Sequence, residues 1–127
     1  MRAARGPLHE GLLDNNFPLP FRHELKTCEV ETAAYRGWEA LGDDELLRRA
    51  EAAFSVLVTL DTNLADQQNV SSHEIGIVVL DIRPIILPNL KRHAGMVESM
   101  VRTAAANSEA IRISDRTSEP IVEPIGR

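Results

Sequence analysis

Cysteine is almost absent from this chain. Cys28 stands alone among 127 residues, so no intrachain disulfide can form. It lies at the start of an alternating stretch, where a small buried hydrophobe is expected. No histidine is placed to make it a nucleophile. Aromatic residues are also scarce, at 4%, which leaves Leu, Val, Ile and Ala to build the core. No apolar run approaches the roughly 18 residues of a membrane span. The first ten residues carry two arginines but no apolar stretch of signal-peptide length. Together with the single thiol, these absences predict a cytoplasmic protein with no membrane partner. Positive charge is in deficit as well, with 14 Lys and Arg against 19 Asp and Glu, a net charge of -5 and a pI near 5.3. That argues against nucleic-acid binding through a broad basic surface. A metal-dependent nuclease stays open, because its own carboxylates lower the charge and a cation restores it where phosphate must sit.

What is present suits one domain. Hydrophobic residues make up 43% of the chain, enough for a real core. Residues 1–10 read as a loose start broken by Gly6-Pro7. A short strand over Leu8–Leu13 follows, then a turn at Asn15-Asn16 and a short helix after Pro18, with Phe17, Phe21 and Leu25 on one face. Cys28–Thr32 alternates like a strand near an edge. Trp38 is expected to cover the core. Asp43 is expected to cap a helix whose buried stripe is Leu46, Leu47, Ala50 and Phe54, with Asp44 and Glu45 at the positive end of its dipole. Val56–Leu60 and Glu74–Leu80 are nearly continuous apolar runs, the pattern of strands covered on both faces. Residues 62–70 read as a polar loop with one helical turn. Leu90, Ala94, Val97, Val101 and Ala104 keep a helical period over four turns. Ala110–Ser114 is a last short strand, which closes a domain over residues 1–114. Residues 115–127 read as a frayed, flexible tail. Alternation of this kind predicts an α/β fold with a mostly parallel sheet between helical layers.

Three of these strands end in aspartate: Leu13-Asp14, Leu60-Asp61 and Leu80-Asp81. Parallel strands share one carboxyl edge, so the three carboxylates belong to the edge where ligands bind in such sheets. Glu45, opening a helix that follows a strand, lies toward the same edge. Carboxylates brought together repel unless a hard cation binds among them, and Mg2+ or Mn2+ with oxygen ligands is the natural occupant. Asp after a strand is also an ordinary turn or cap residue, and residue types alone favour that role.

The run Leu12-Leu13-Asp14-Asn15-Asn16-Phe17-Pro18 resembles the opening motif of the bacterial PIN-like domain family. Asp43-Asp44-Glu45-Leu46-Leu47 resembles the second motif of that family. Val56-Leu57-Val58-Thr59-Leu60-Asp61-Thr62-Asn63-Leu64 resembles the third. The segment Ala65–Val70, followed by Ile75–Leu80, is similar to a subgroup with a Gln-Gln-Asn stretch before a Val/Ile strand. The resemblance spans residues 11–114 and rests on the order and spacing of short motifs. It implies a three-layer PIN-like sandwich and a magnesium- or manganese-dependent ribonuclease, often the toxin of a toxin–antitoxin pair. RNA would be the substrate, and an antitoxin protein or a second copy of the chain the partner. By position, Asp14, Glu45 and Asp61 would bind the metal, with Thr59, Asn63 and Asp66 in support. Asn15 and Asn63 stand where many members carry further acids. That thinner acidic set makes a catalytically weak interaction module the alternative.

Other residues have plainer expectations. Asp81 reads as a loop cap. Gln67, Gln68 and Asn69 read as loop ties that are also placed to touch RNA. His73 and His93 lack metal-ligand spacing and read as surface residues. Arg22 and Arg36 read as solvated charge that is able to meet phosphate. A receiver-like signalling domain, with a phosphate-accepting Asp, is a more distant reading. Ile111–Ser114 is followed by Asp115-Arg116, where a receiver would place a lysine.

Overall fold

Apolar side chains alternate in direction along the central strands, and each direction meets its own layer of helices. The computed structural model describes residues 9–15, 17–26, 28–65, 74–115 and 120–125. Its strands are β1 (His9–Leu13), β2 (Cys28–Thr32), β3 (Val56–Thr59), β4 (Gly76–Asp81), β5 (Ala110–Ser114) and β6 (Ile121–Pro124). They form one sheet in the order β2-β1-β3-β4-β5-β6. Every neighbouring pair is parallel except β5 and β6. The helices are α1 (Asp43–Ala53), α2 (Thr62–Ala65), α3 (Leu87–Arg92) and α4 (Ala94–Asn107), with a 3₁₀ turn over Leu19–Glu24.

Side chains two apart on a strand share a face. Leu13, Val56, Val58, Val78 and Leu80 therefore pack on one side with Phe21 of the 3₁₀ turn, Leu90 of α3, and Val97 and Val101 of α4. Leu12, Leu57, Ile77 and Val79 pack on the other with Leu46, Leu47 and Ala50 of α1. The result is the expected α/β three-layer sandwich with a mostly parallel sheet. Covered on both faces, β3 and β4 are buried at every residue. Among the described residues, no helix is long and apolar enough to cross a membrane.

Several expectations need correction. The stretch 115–127 is more than a frayed tail, because residues 121–124 add an antiparallel edge strand. Ile113 pairs with Val122, Arg112 lies 3.8 Å from Glu123, and the Ile125 N–H donates to the Ala110 carbonyl at 2.8 Å. Pro120 and Pro124 hid this strand from pattern reading, but both suit a strand's ends at a sheet edge, where a missing N–H breaks no ladder. The helical period from Leu90 to Ala104 is split, since His93 (φ -103, ψ 10) leaves helical geometry and separates α3 from α4. His93 is not fully exposed; its Nε2 lies 3.5 Å from the Asp115 carboxylate. Asp81 ends β4 itself instead of capping a loop, at 3% exposure, with Arg83 Nε 3.5 Å away. Gly42, not Asp43, is the N-cap of α1, and no side-chain bond caps that end. Trp38 covers the second core layer as expected, edge-on to Phe54 at 6.4 Å. Cys28 is buried.

Helix α4 lies on β4 through a glycine. A Cβ added at Gly76 would stand 2.4 Å from the Ala104 carbonyl oxygen and 2.6 Å from its carbon, both rigid backbone atoms. Gly95, inside α4, faces open space. Gly76→Ala is therefore expected to destabilise the fold by about 2–3 kcal/mol through overpacking. Gly95→Ala is expected to stabilise it by about 0.5–1 kcal/mol through helix propensity. Urea midpoints of the two variants check both signs, and equal midpoints would contradict this packing.

Candidate acidic site

The strand order reverses at β1, which has β2 on one side and β3 on the other. In open α/β sheets, the crevice at such a reversal lies beyond the carboxyl ends of the strands. Asp14 follows β1 there. Its N–H donates to the Val58 carbonyl at 2.9 Å, extending the β1–β3 ladder by one bond. By strand alternation Asp14 and Thr59 face the α1 layer, as Leu12 and Leu57 do.

One hydroxyl joins the two aspartate segments. Thr59, fully buried, donates through Oγ1 to Asp14 Oδ2 at 2.7 Å. The same oxygen accepts the Asp61 N–H at 3.0 Å. Asp14 Oδ1 accepts the Asn15 N–H at 2.7 Å. The Asp61 carbonyl accepts the Leu64 N–H at 3.2 Å, which ties the start of α2 to the same point. Asp14 is thus held by one donor on each carboxylate oxygen, leaving a lone pair on each for another ligand.

Asp14, Asp43 and Asp61 line one cleft of about 450 Å³. Leu41, Leu46, Leu60 and Ile85 form its apolar walls, and no Lys or Arg is among its described lining residues. Glu45 does not line it. Both its carboxylate oxygens are taken by guanidinium groups, Oε1 by Arg48 and Oε2 by Arg49 at 2.7 Å. Helix geometry gives the reason. Residues three and four ahead share a face: for Glu45 these are Arg48 and Arg49 on the solvent side, and for Asp43 they are Leu46 and Leu47 on the sheet side. Asp43 lines the cleft although motif matching passed over it, and its spacing to the buried Leu pair was the available signal. Thr59 ends β3, and Asp61, two residues on, lines the cleft. The side chain of Asn63 lies outside the described residues, as do Asp66, Gln67, Gln68, Asn69 and His73. Arg36 is committed elsewhere, donating to both oxygens of Glu31 at 2.7 and 3.2 Å and lying over the Trp38 and Phe54 rings.

Among the described residues, the polar lining offers oxygen ligands and no imidazole or thiolate, which is the chemistry of a hard cation. Among the described residues no three His, Cys, Asp or Glu side chains are grouped to hold a metal by themselves. Mg2+ usually keeps several waters and takes one or two carboxylates. Asp14 and Asp61, which line the cleft together, are the candidates for that number of carboxylates.

The chain matches no protein-family model, no curated protein and no solved structure.

Two outcomes follow from these bonds. Thr59→Val removes a donor to a carboxylate in a buried site and is expected to cost about 1.5–3 kcal/mol. Thr59→Ser keeps the hydroxyl and costs less; similar urea midpoints for the two variants would deny Thr59 its bridging role. Arg49, then Arg48, hold the Glu45 carboxyl below its ordinary value by hydrogen bonding. A lowered folded-state pKa contributes stability above the ordinary glutamate value and loses it as pH falls through the folded value. The stability gap between wild type and Glu45→Gln should therefore be present at neutral pH and close in that acid window, in a pH series of thermal melts. It should be small, as surface pairs are.

Proposed function

We propose that the Asp14–Asp61 cleft is the divalent-cation site of a small ribonuclease of the PIN-like type, which hydrolyses an RNA phosphodiester. The observation that carries this reading is the Thr59 hydroxyl, which bonds the Asp14 carboxylate and the Asp61 backbone together where the sheet order reverses. A fully buried hydroxyl ties the Asp14 carboxylate to the Asp61 backbone, and both aspartates line one cleft, where acids brought close together are stabilised by a hard cation. Mg2+ or Mn2+ bound there supplies positive charge for the phosphate and a more acidic bound water.

The chain's own residues do the positioning. Asp14 and Asp61 are the ligands, and Asp43 takes the place expected for Glu45. Thr59 sets the rotamer of Asp14. Leu41, Leu46 and Leu60 limit water on the cleft walls, which strengthens the electrostatics inside. No side chain is needed as a nucleophile. The toxin role within a cytoplasmic toxin–antitoxin pair is the setting that the motif resemblance implies.

A second reading is a catalytically silent interaction module that meets an antitoxin-like protein or a second copy. It is favoured by the loss of Glu45 to Arg48 and Arg49, and by the exposed apolar Ile85 and Ile86 beside the cleft. Cleavage of a labelled single-stranded RNA with Mg2+ or Mn2+ separates the two. The ribonuclease reading expects EDTA-sensitive cleavage that Asp61→Asn abolishes and that Thr59→Val slows about 10- to 100-fold, the usual cost of losing a group that orients a ligand. Metal-independent cleavage, or none with either ion, leaves the interaction module.

A further inference from the structure

A groove beside the acidic cleft carries the opposite chemistry. It measures about 490 Å³ and is lined by Pro20, Arg22, His23, Thr32, Ala34 and Tyr35. A smaller depression of about 90 Å³ shares Thr32 and Ala34 with the groove and Asp14 and Asn15 with the cleft, so groove and cleft are near neighbours beyond the carboxyl ends of β1 and β2.

Tyr35 stands 79% exposed on a turn that is firmly built. Its N–H donates to Thr32 Oγ1 at 3.1 Å, and the Arg36 and Trp38 N–H groups both donate to the Ala33 carbonyl, at 3.1 and 2.9 Å. Gly37, at φ 76, supplies the left-handed residue that closes the turn. A ring this exposed on a rigid turn is a poor core residue and a good stacking surface. Arg22 and His23, in the last turn of the 3₁₀ segment, flank it. Arg36, Arg48, Arg49, Arg83 and Arg112 each lie within ion-pair distance of a carboxylate. Among the described residues Arg22 enters no such pair. In a chain of net charge -5, this cation and this ring are gathered beside the acidic cleft.

We propose that this groove binds the nucleotide that flanks the cleaved phosphodiester in single-stranded RNA. Tyr35 stacks its base, Arg22 meets its phosphate and His23 offers a further hydrogen bond. Aromatic stacking beside a backbone cation is the chemistry that recognises unpaired nucleic acid. The proposal rests on the ribonuclease reading of the neighbouring cleft, for which it supplies the substrate class: unpaired RNA, since bases in a duplex cannot stack on Tyr35.

The test is fluorescence anisotropy of a labelled 12-nucleotide single-stranded RNA in EDTA, which separates binding from cleavage. Wild type is expected to bind it more tightly than an RNA duplex of the same length. Tyr35→Ala is expected to weaken binding about tenfold, while Tyr35→Phe keeps it. Arg22→Ala is expected to flatten the log–log salt dependence by about 0.7. Tyr35 is too exposed for its truncation to unfold the chain, and a thermal melt checks this. Equal affinity of wild type and Tyr35→Ala, equal affinity for duplex, or no binding of RNA overturns the groove, even where the cleft cleaves RNA. Tyr35-dependent binding without metal-dependent cleavage upholds the groove and overturns the ribonuclease reading.

Discussion

The hydroxyl of Thr59 is the constraint on which the candidate site depends. It gives its proton to Asp14 and takes one from the Asp61 backbone, so two segments 45 residues apart in the chain converge on one oxygen. Among the described residues, no other polar side chain in that corner is as buried. The bridge works only because β1 and β3 are parallel neighbours in a register that sets Leu13 against Val58. A shift of one residue would turn Thr59 to the opposite face and leave Asp14 without its donor. Packing specifies that register strongly, since the same shift would exchange the side chains between the two core layers.

Around that point the chain separates its charges. Among the described residues, the cleft is lined by three aspartates and by no Lys or Arg. Glu45 and Glu31, which would have added to the acidic field, are each bound by arginine. Among the described residues Arg22 pairs with no carboxylate, and it lines the neighbouring groove together with the exposed Tyr35. Under the proposed reading, a divalent ion would meet the phosphate in the cleft and the groove would meet the adjoining nucleotide. The apolar rim of Ile85 and Ile86 leaves room for a protein partner in the same region.

Much of the fold is legible in the residues. The continuous apolar runs at 56–60 and 74–80 identify central strands, because only strands covered on both faces can dispense with polar alternation. The helix at 43–53 is visible in the spacing of Leu46, Leu47 and Ala50. The strand at 121–124 is less visible, since four exposed residues, the last of them Pro124, acquire their structure from the neighbouring edge of β5 and not from their own pattern. The break at His93 has no apolar signature for the same reason: both halves keep their buried stripe. At the site, Asp14, Thr59 and Asp61 could be picked out by position, but motif matching preferred Glu45 to Asp43. Which of the two lines the cleft depends on which face of α1 meets the sheet.

Alone, the sequence determined the class of structure, the three strand-end aspartates and the oxygen-only character of the acidic set. These depend on local period and residue type, which act over a few residues. The tertiary structure decided which acids meet. It brought Asp14 to Thr59, turned Asp43 inward and Glu45 outward, and laid Arg22 and Tyr35 beside the cleft. Such choices rest on strand order, register and helix rotation. These are settled by the burial of whole faces, and no short stretch of sequence carries that information. The opening strand Val56–Thr59 illustrates both halves: its apolar run announces a buried strand, and only its neighbour β1 makes the threonine at its end a bridge.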